Sequence, residues 1–357
     1  MDKIIYKILK KLKNNNYEAY VVGGYVRDKV LGISTNDIDI CTNALPRDVI
    51  NIFKLDNKIK DSFGSINFKI KNYNIDITTY RLEKNYVNHI PKYIEYVNDI
   101  KKDLKRRDFT CNQLLLNIDD EIIDYYGGLN DINNKIIKCI GDTEKKLKED
   151  PIRILRAIRL ASIYNFSLDE SIINYINNNK NLINNISYTR KKEELDKILS
   201  NDNKMNGLKI IKELNLLDVL NIKYDKISYC KDVLGMYAQI EYSSLYPFTK
   251  NEKSIINNIR DVIKIGKIDN YALYKYGLYI NNVAGEILGV DYKDIIKKYK
   301  SLPIKTRKDI KISVESIVKL NNNCYNNINE IYLNIEKNIL NGSLKNKSKD
   351  IVKFIRK

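Results

Sequence analysis

Two neighbouring stretches constrain this chain more than any other part of it: Tyr20-Val-Val-Gly-Gly-Tyr-Val-Arg-Asp28 and Asn36-Asp-Ile-Asp-Ile40. An apolar run that ends in Gly23 and Gly24 lets the backbone turn tightly and bring bare N–H groups close to a ligand, as a phosphate requires. Arg27 adds a guanidinium fork, with Asp28 beside it. Asp37 and Asp39 alternate with Ile38 and Ile40, and in a strand that spacing points both carboxylates to one face. Two adjacent carboxylates repel unless a cation lies between them. Hard oxygen ligands that leave room for water and substrate phosphates suit Mg2+, so these residues predict a metal and nucleoside triphosphate site. Gly-Gly alone is common in turns and Asp-x-Asp alone in loops; the two together are far more specific.

The 357 residues, 43% of them apolar, allow two or more domains with sizeable cores. Lys and Arg number 62 against 45 Asp and Glu, a net charge of +17 that favours a polyanionic partner. No run approaches the ~18 apolar residues of a membrane span, and the N-terminus lacks a signal-peptide core. The expectation is a soluble, cytoplasmic protein that binds nucleic acid and no membrane. Cys41, Cys111, Cys139, Cys230 and Cys324 are scattered without a CxxC pair, which suggests neither a zinc ribbon nor a disulfide framework. His89 is the only histidine, which excludes multi-histidine zinc hydrolysis and leaves a Ser-His-Asp triad resting on one loop residue, so carboxylates and metal are the expected chemistry.

Residues 2 to 16 have the spacing of an amphipathic helix, Tyr20 to Val22 of a strand, Val26 to Leu31 of a helix and Asp37 to Ile40 of a second strand. Pro46 opens the next helix. Ile66 to Lys71 and Asn74 to Tyr80 read as a strand pair. Within it Asp76 is either a third carboxylate, completing a metal site or accepting a hydroxyl proton, or an ordinary solvent-facing residue. Arg81 to Asp103 reads as a loop around Asn85 to Pro91. Asp103 to Asn112 reads as a cationic helix start that puts Asp108 and Asn112 on one face, with Arg107 reaching a nucleotide and Asp108 orienting it or capping amides. A solvated basic helix end is the alternative.

Lys148 to Ala161 is the second specific stretch. Asp150 caps and Pro151 begins a long helix whose Ile154, Ile158 and Ala161 pack inward. Asp150, Arg153, Arg156 and Arg159 recur every three residues, a spacing that drifts about 60° backward per step, so the four are not expected to face one ligand. Asp150 and Arg153 are the natural neighbours. Cytosine and adenine both present an amino donor beside an unprotonated ring nitrogen, whereas uracil and guanine present a carbonyl beside a ring N–H. A carboxylate next to a guanidinium fits the first pair and mismatches the second. From Ser162 onward the pattern is helix after helix. Ser187 caps one of them, Gly207 to Leu217 forms another, and Lys345 to Lys357 is a basic amphipathic end that either grips phosphates or solvates the terminus.

The Gly-Gly turn with Asp37 and Asp39, the Asp103 to Asn112 segment and the Asp150 helix together resemble the class II branch of the DNA polymerase beta-like nucleotidyltransferases. That branch holds the tRNA CCA-adding enzymes and bacterial poly(A) polymerases. Asp124 to Asp131 resembles the family's strand and turn that close the head. The resemblance is good over the first two hundred residues and looser beyond. Thr189 stands where relatives usually carry Glu, and Ser313-Val-Glu-Ser316 where they usually have a Gly-Lys-Asp-type turn.

The resemblance implies an α+β fold: a small polymerase beta-like mixed-sheet head (1–138), then an all-helical neck that recognises the base (139–200), a helical body (201–300) and a basic tail that binds tRNA (301–357). It implies Mg2+ on Asp37 and Asp39, catalysis by Asp37, Asp39 and Asp76, and nucleotide contacts from Gly23, Gly24, Arg27, Asp28, Arg107, Asp108, Asn112, Asp150, Arg153, Arg156 and Arg159. The implied reaction is template-independent addition of C, C and A to tRNA from CTP and ATP. In CCA-adding relatives a flexible loop after the metal strands helps the switch from C to A, and the full-length segment here implies addition of all three. Poly(A) synthesis, CC-only or A-only addition, and a silent RNA-binding protein on the same scaffold are the alternatives.

Overall fold

Alternating isoleucines build the sheet on which everything else is hung. The computed structural model describes residues 2–56, 63–87, 90–320 and 327–356, in two compact units, Met1–Asn221 and Ile222–Lys357. It is an α+β fold, with a mixed sheet in the first unit and helices through the rest.

In the first unit, Lys3–Lys13 (α1) is capped by Asp2, whose carboxylate accepts from the Ile4 N–H at 2.7 Å, and buries Ile5, Ile8, Leu9 and Leu12. Then come Ala19–Val22 (β1), Gly24–Val30 (α2), Asp37–Thr42 (β2), Pro46–Phe53 (α3), Ser65–Ile70 (β3) and Tyr73–Thr79 (β4). Arg81–Val87 (β5) and Ile90–Tyr96 (β6) follow, then Ile100–Arg106 (α4), Leu115–Leu116 (β7) and Ile122–Ile123 (β8). The sheet order is β3-β4-β2-β1-β7-β8, with only β2 and β4 parallel. α1 packs on β1, and α3 on β3 and β4. Ile38, Ile40, Ile75 and Ile77 are buried, which leaves the alternate positions of β2 and β4 to the opposite face.

The predicted loop after Tyr80 is instead a β-hairpin, β5 paired antiparallel with β6. Neither strand buries an apolar face among the side chains described, and Arg81, Glu83, Lys84, Lys92 and Glu95 interrupt the alternation that would announce a strand. His89, within this segment, and Cys324 lie outside the described residues. The other four cysteines are free and buried, and burial pushes each of their thiols up to about 12.

The unit continues through Gly128–Asn133 (α5), Ile136–Ile137 (β9), Thr143–Glu149 (α6), Ile152–Tyr164 (α7), Ser167–Leu168 (β10), Glu170–Asn179 (α8), Tyr188–Ser200 (α9), Lys204–Glu213 (α10) and Leu217–Leu220 (α11). Asp124 holds the turn into α5 by accepting from the Gly128 and Leu129 N–H groups. α7 is almost wholly enclosed, with Ile154, Leu155, Ala157, Ile158 and Ala161 at 0% exposure, and it packs against α9 and α10. A helix hydrophobic on nearly every side is a core helix, so its polar side chains are placed with little freedom.

Among the described residues the second unit has helices and the short strand pair Ile222–Lys223 (β11) and Glu241–Tyr242 (β12). Its helices are Val233–Ala238 (α12), Lys250–Ile265 (α13), Asn270–Leu288 (α14), Tyr292–Lys300 (α15), Val314–Leu320 (α16), Ile328–Leu340 (α17) and Ser348–Ile355 (α18). α14 is broken at Gly277, whose φ of 73° is open to glycine at little cost. Among the described residues no helix is long and apolar enough to cross a membrane.

Candidate active site

Strand register sets the acidic floor. β1 pairs with β2 so that Val22 stands opposite Asp39, and the chain turns at Gly23 directly beside that carboxylate. Gly23 has φ 80°, which favours glycine, and a Cβ there would stand 3.1 Å from Asp39 Oδ2 and crowd that carboxylate. Asp37, Asp39 and Cys41 share one face of β2. The two acids open to solvent, while Cys41 is buried with Val22, Tyr80, Leu104 and Leu115. Leu104 belongs to α4, so the helix that covers the far end of this face brings Arg106 and Arg107 to its open end.

Across the parallel pair, Asn74 stands opposite Asp37 and Asp76 opposite Asp39. Asn74 Nδ2 donates to Asp37 Oδ1 at 2.6 Å, and the Ser65 and Thr78 hydroxyls donate to Asp76 Oδ1. Although its tip is open to solvent, Asp39 is crowded by protein elsewhere. That desolvation raises its pKa, Arg107 pulls it back, and Asp76 and Asp37 push it up again, leaving it above the ordinary carboxylate value. Two hard carboxylates in this state are a good half-shell for a divalent cation.

A cavity of about 390 Å³ opens beside Asp39, lined by the Gly23-Gly24 turn, Arg27, Arg107, Asp108 and Asn112 on one side. On the other side stand Asp150, Arg153, Arg156 and Arg159. Of the remaining predicted residues, Asp28 lies buried behind Arg27, and Asp37 and Asp76 sit on the sheet outside this cavity. Arg27 is buried, its Nε donating to Asp28 Oδ1 at 3.0 Å and its Nη1 to Asn112.

Several local expectations are corrected. Asp103 to Asn112 is a helix end, not a helix start: α4 stops at Arg106, Arg107 is extended, and Thr110–Asn112 form a single 3-10 turn. Asp108 and Asn112 still meet, Asn112 Nδ2 donating to Asp108 Oδ1 at 3.1 Å. Asp108 does cap a neighbouring amide, accepting from the Phe109 N–H at 2.8 Å, but the guanidinium it orients is that of Arg156, not Arg107, with Arg156 Nε donating at 2.8 Å. Arg107 pairs with buried Asp103 at 3.1 Å. Burial would raise the Asp108 pKa, but Arg156, then Asn112, hold its carboxyl well below the usual range.

Asp150 does not cap α7 with its side chain; it is an extended residue between α6 and α7. For that reason it and the three arginines do line one cleft. Only the arginines follow the helical spiral, and their long side chains span the drift between successive turns. The Arg153 N–H donates to the Asp150 carbonyl at 3.0 Å, but the two side chains do not pair with each other. Asp150 is gripped by Arg190 of α9 at 3.2 and 3.3 Å, and Arg153 Nη1 donates to the Lys146 carbonyl at 2.8 Å. Arg159 pairs with Glu194 at 2.7 Å.

Glu83, Arg106 and Arg190 line the cleft as well, and residue-level reading misses them. Glu83 lies in the misread hairpin. Arg190 follows a capping serine among other charges, with no signal to separate it from a solvated face.

Comparison with known proteins gives the class first: residues 19–138 match the family described as Poly A polymerase head domain, a nucleotidyltransferase head, and residues 165–224 match a family described as Probable RNA and SrmB- binding site of polymerase A. The CCA-adding enzyme of Ligilactobacillus salivarius is 30% identical over 344 residues, spanning 87% of this chain and 85% of that protein. That of Lactobacillus johnsonii is 29% identical over 385 positions, spanning 98% and 95%. The chain belongs to the CCA-adding enzyme family. The Bacillus stearothermophilus CCA-adding enzyme in complex with CTP shares its fold, with a TM-score of 0.83 at 23% identity over 99% of this chain and 97% of that one. The family generally uses a divalent metal ion.

Proposed function

We infer that this protein adds C, C and A to the 3′ end of tRNA from CTP and ATP, in the cytoplasm and without a nucleic-acid template, releasing pyrophosphate. The observation that carries this reading is the meeting of Asp39, Asp150 and Arg153 in one cleft, where a base read at one wall has its triphosphate beside the acidic floor.

Asp37 and Asp39 would hold Mg2+. Their oxygens are hard donors on one open face, and among the described residues no third acid, His or Cys closes a protein-only cage, which leaves positions for water and phosphate. Bound there, two Mg2+ ions would ease deprotonation of the primer 3′-hydroxyl and offset charge on the triphosphate during in-line displacement. Asp76, in register with Asp39, would accept the proton. Gly23, Gly24 and Arg27 would cradle the triphosphate, with Asp28 fixing Arg27.

Asp150 would accept from the amino group of C or A while Arg153 donates to the ring nitrogen, and U or G would leave both unpaired. Arg190 holds Asp150 in one orientation. Arg107 lies within electrostatic reach of Asp39, and Arg156 and Arg159 would complete the cationic wall, Asp108 with Asn112 setting the place of Arg156 and Glu194 that of Arg159. In this reading residues 1–138 are the catalytic head, 139–200 the base-reading neck, 201–300 the body and 301–357 a basic tail that grips tRNA.

The test supplies CTP and ATP, singly and together with Mg2+, to tRNA transcripts ending at the discriminator base, at C and at CC, and resolves products at single-nucleotide length. Extension that stops at CCA on every primer is expected. Long A tails would make the protein a poly(A) polymerase, addition of only CC or only A a partial enzyme, and no extension at all a binding protein.

A further inference from the structure

Tyr164, the last residue of α7, lies outside every predicted role, yet it is bonded to Arg27, which lines the cleft. Its hydroxyl donates to Asp28 Oδ1 at 2.7 Å and accepts from Arg27 Nη2 at 2.5 Å. The Arg27 guanidinium carbon lies 4.4 Å from the centre of its ring. Arg27 Nη2 also reaches Asp28 Oδ1 at 2.9 Å, and Nη1 reaches Asn112. Every guanidinium nitrogen of Arg27 is thus engaged, Nε by Asp28, before any ligand arrives.

An arginine loses much rotamer freedom when it closes on a phosphate, and fixing it beforehand removes that loss from the binding step. Asp28 alone is a neighbour on the same short helix. Asn112 and Tyr164 reach Arg27 from other elements, and Tyr164 is the contact that ties the guanidinium to α7. α7 is also the helix that carries Arg153, Arg156 and Arg159. Arg153 and Tyr164 stand eleven positions, roughly 16 Å, apart along it.

We propose that Tyr164 is a positioning residue that presents Arg27 to the nucleotide triphosphate and ties the triphosphate cradle to the base-reading helix. The proposal rests on the reading of Arg27 as a triphosphate ligand. It makes α7 a rigid ruler between the two ends of the nucleotide: its first turns meet the base and its last residue sets the phosphate end. Because CTP and ATP share the triphosphate, Tyr164 acts on both alike and leaves base choice untouched.

The test compares Tyr164→Phe, which keeps the ring and removes the hydroxyl, Tyr164→Leu, which removes both contacts, and Arg27→Gln. Steady-state constants for CTP and ATP on tRNA ending at the discriminator base and at CC would be read with inhibition by inorganic tripolyphosphate, a probe with no base. KM is expected to rise about threefold in Tyr164→Phe and about tenfold in Tyr164→Leu, equally for CTP and ATP. kcat should stay within about twofold, and tripolyphosphate inhibition should weaken by the same factor as KM. Discrimination against UTP and GTP should be unchanged.

Wild-type KM in both Tyr164 variants alongside a raised KM in Arg27→Gln would overturn the proposal and leave the Arg27 reading standing. Wild-type KM in Arg27→Gln would overturn both. A KM change for one nucleotide only, or a loss of C and A selectivity, would also overturn it, because Tyr164 would then act through the base readers. If Tyr164→Leu proves unfolded in a thermal melt, the Phe variant and the tripolyphosphate series decide alone.

Discussion

Asp39 stands where burial, two neighbouring acids and one arginine pull against each other, and that balance suits a group whose charge a bound cation completes. Asp39→Asn keeps the shape and removes the charge, and several kcal/mol of transition-state stabilisation go with it. The expected loss in nucleotide addition is about a thousandfold or more, with tRNA affinity in a gel-shift assay retained. Addition at near wild-type rate would remove Asp39 from the metal site. Asp108 is a different kind of acid, one whose low pKa is held by Arg156 and Asn112 against the cost of burial. A carboxyl depressed in the folded state contributes stability above its unfolded pKa and loses it as pH falls toward the folded value, so this contribution fades below about pH 4. Asp108→Asn should cost about 2 kcal/mol at neutral pH, the worth of hydrogen bonds to a charged group, discounted because Arg156 is 39% exposed. It should also flatten the acid limb of the stability curve, as read by denaturant unfolding between pH 2 and 7; an unchanged limb would show the pair to be idle.

At the scale of elements, the end of α4 is held by its neighbours. Its last carbonyls have no partner within the helix; Lys146 donates to those of Lys105 and Arg107 at 2.6 and 2.8 Å, and Arg153 to that of Arg106 at 3.4 Å. This clamp sets the extended Arg107 beside Asp39. Burial, reinforced by Arg153, pushes the Lys146 ammonium down to about 8 from 10.5. The folded protein therefore releases this proton at lower pH than the unfolded chain, and the contribution of Lys146 to stability rises between those two values. Lys146→Met should cost about 2 kcal/mol at pH 7 by orphaning two carbonyls, and its stability should climb less than the wild type's from pH 8 to 10; parallel curves would contradict the clamp. A second element-scale test lies at Gly207 in α10, where a Cβ would stand 2.6 Å from Ile198 Cγ2 and 2.8 Å from Ser162 Oγ. Gly207→Ala improves helix propensity yet should lower stability by about 1 to 3 kcal/mol, because α7 and α9 leave no room for a methyl. A raised melting temperature would show that the three helices can shift apart. These contacts also mark where sequence stops being informative. Asp37 and Asp39 are legible because buried Ile38 and Ile40 fix their face, and α7 because its apolar positions and Pro151 announce it. The partners Asp108–Arg156 and Asp150–Arg190 are not, since each pairing is chosen by elements 40 or more residues apart that a local pattern does not bring together. Hairpin β5–β6 fails for the opposite reason, having no buried stripe among the side chains described to give it a period.

Over the whole molecule, the +17 charge and the cleft chemistry act on different parts of the substrate, and salt separates them. Lysines and arginines on an open surface meet phosphates through counterion release, so tRNA affinity should fall log-linearly with salt, by on the order of a hundredfold between about 50 and 200 mM. In the proposed reading the base is selected otherwise. Arg153 is buried and Asp150 is gripped by Arg190, so hydrogen bonds from them to a base would form away from mobile ions and be little screened. The preference for CTP and ATP over UTP and GTP should therefore hold across the same salt range, with tRNA kept saturating at each step. Filter binding gives the first slope and single-nucleotide extension the second. A flat tRNA slope would mean that the basic surface does not carry RNA binding. Selectivity that eroded together with affinity would mean that the base is chosen at an exposed, screened surface, and the assignment of Asp150 and Arg153 as its readers would fall.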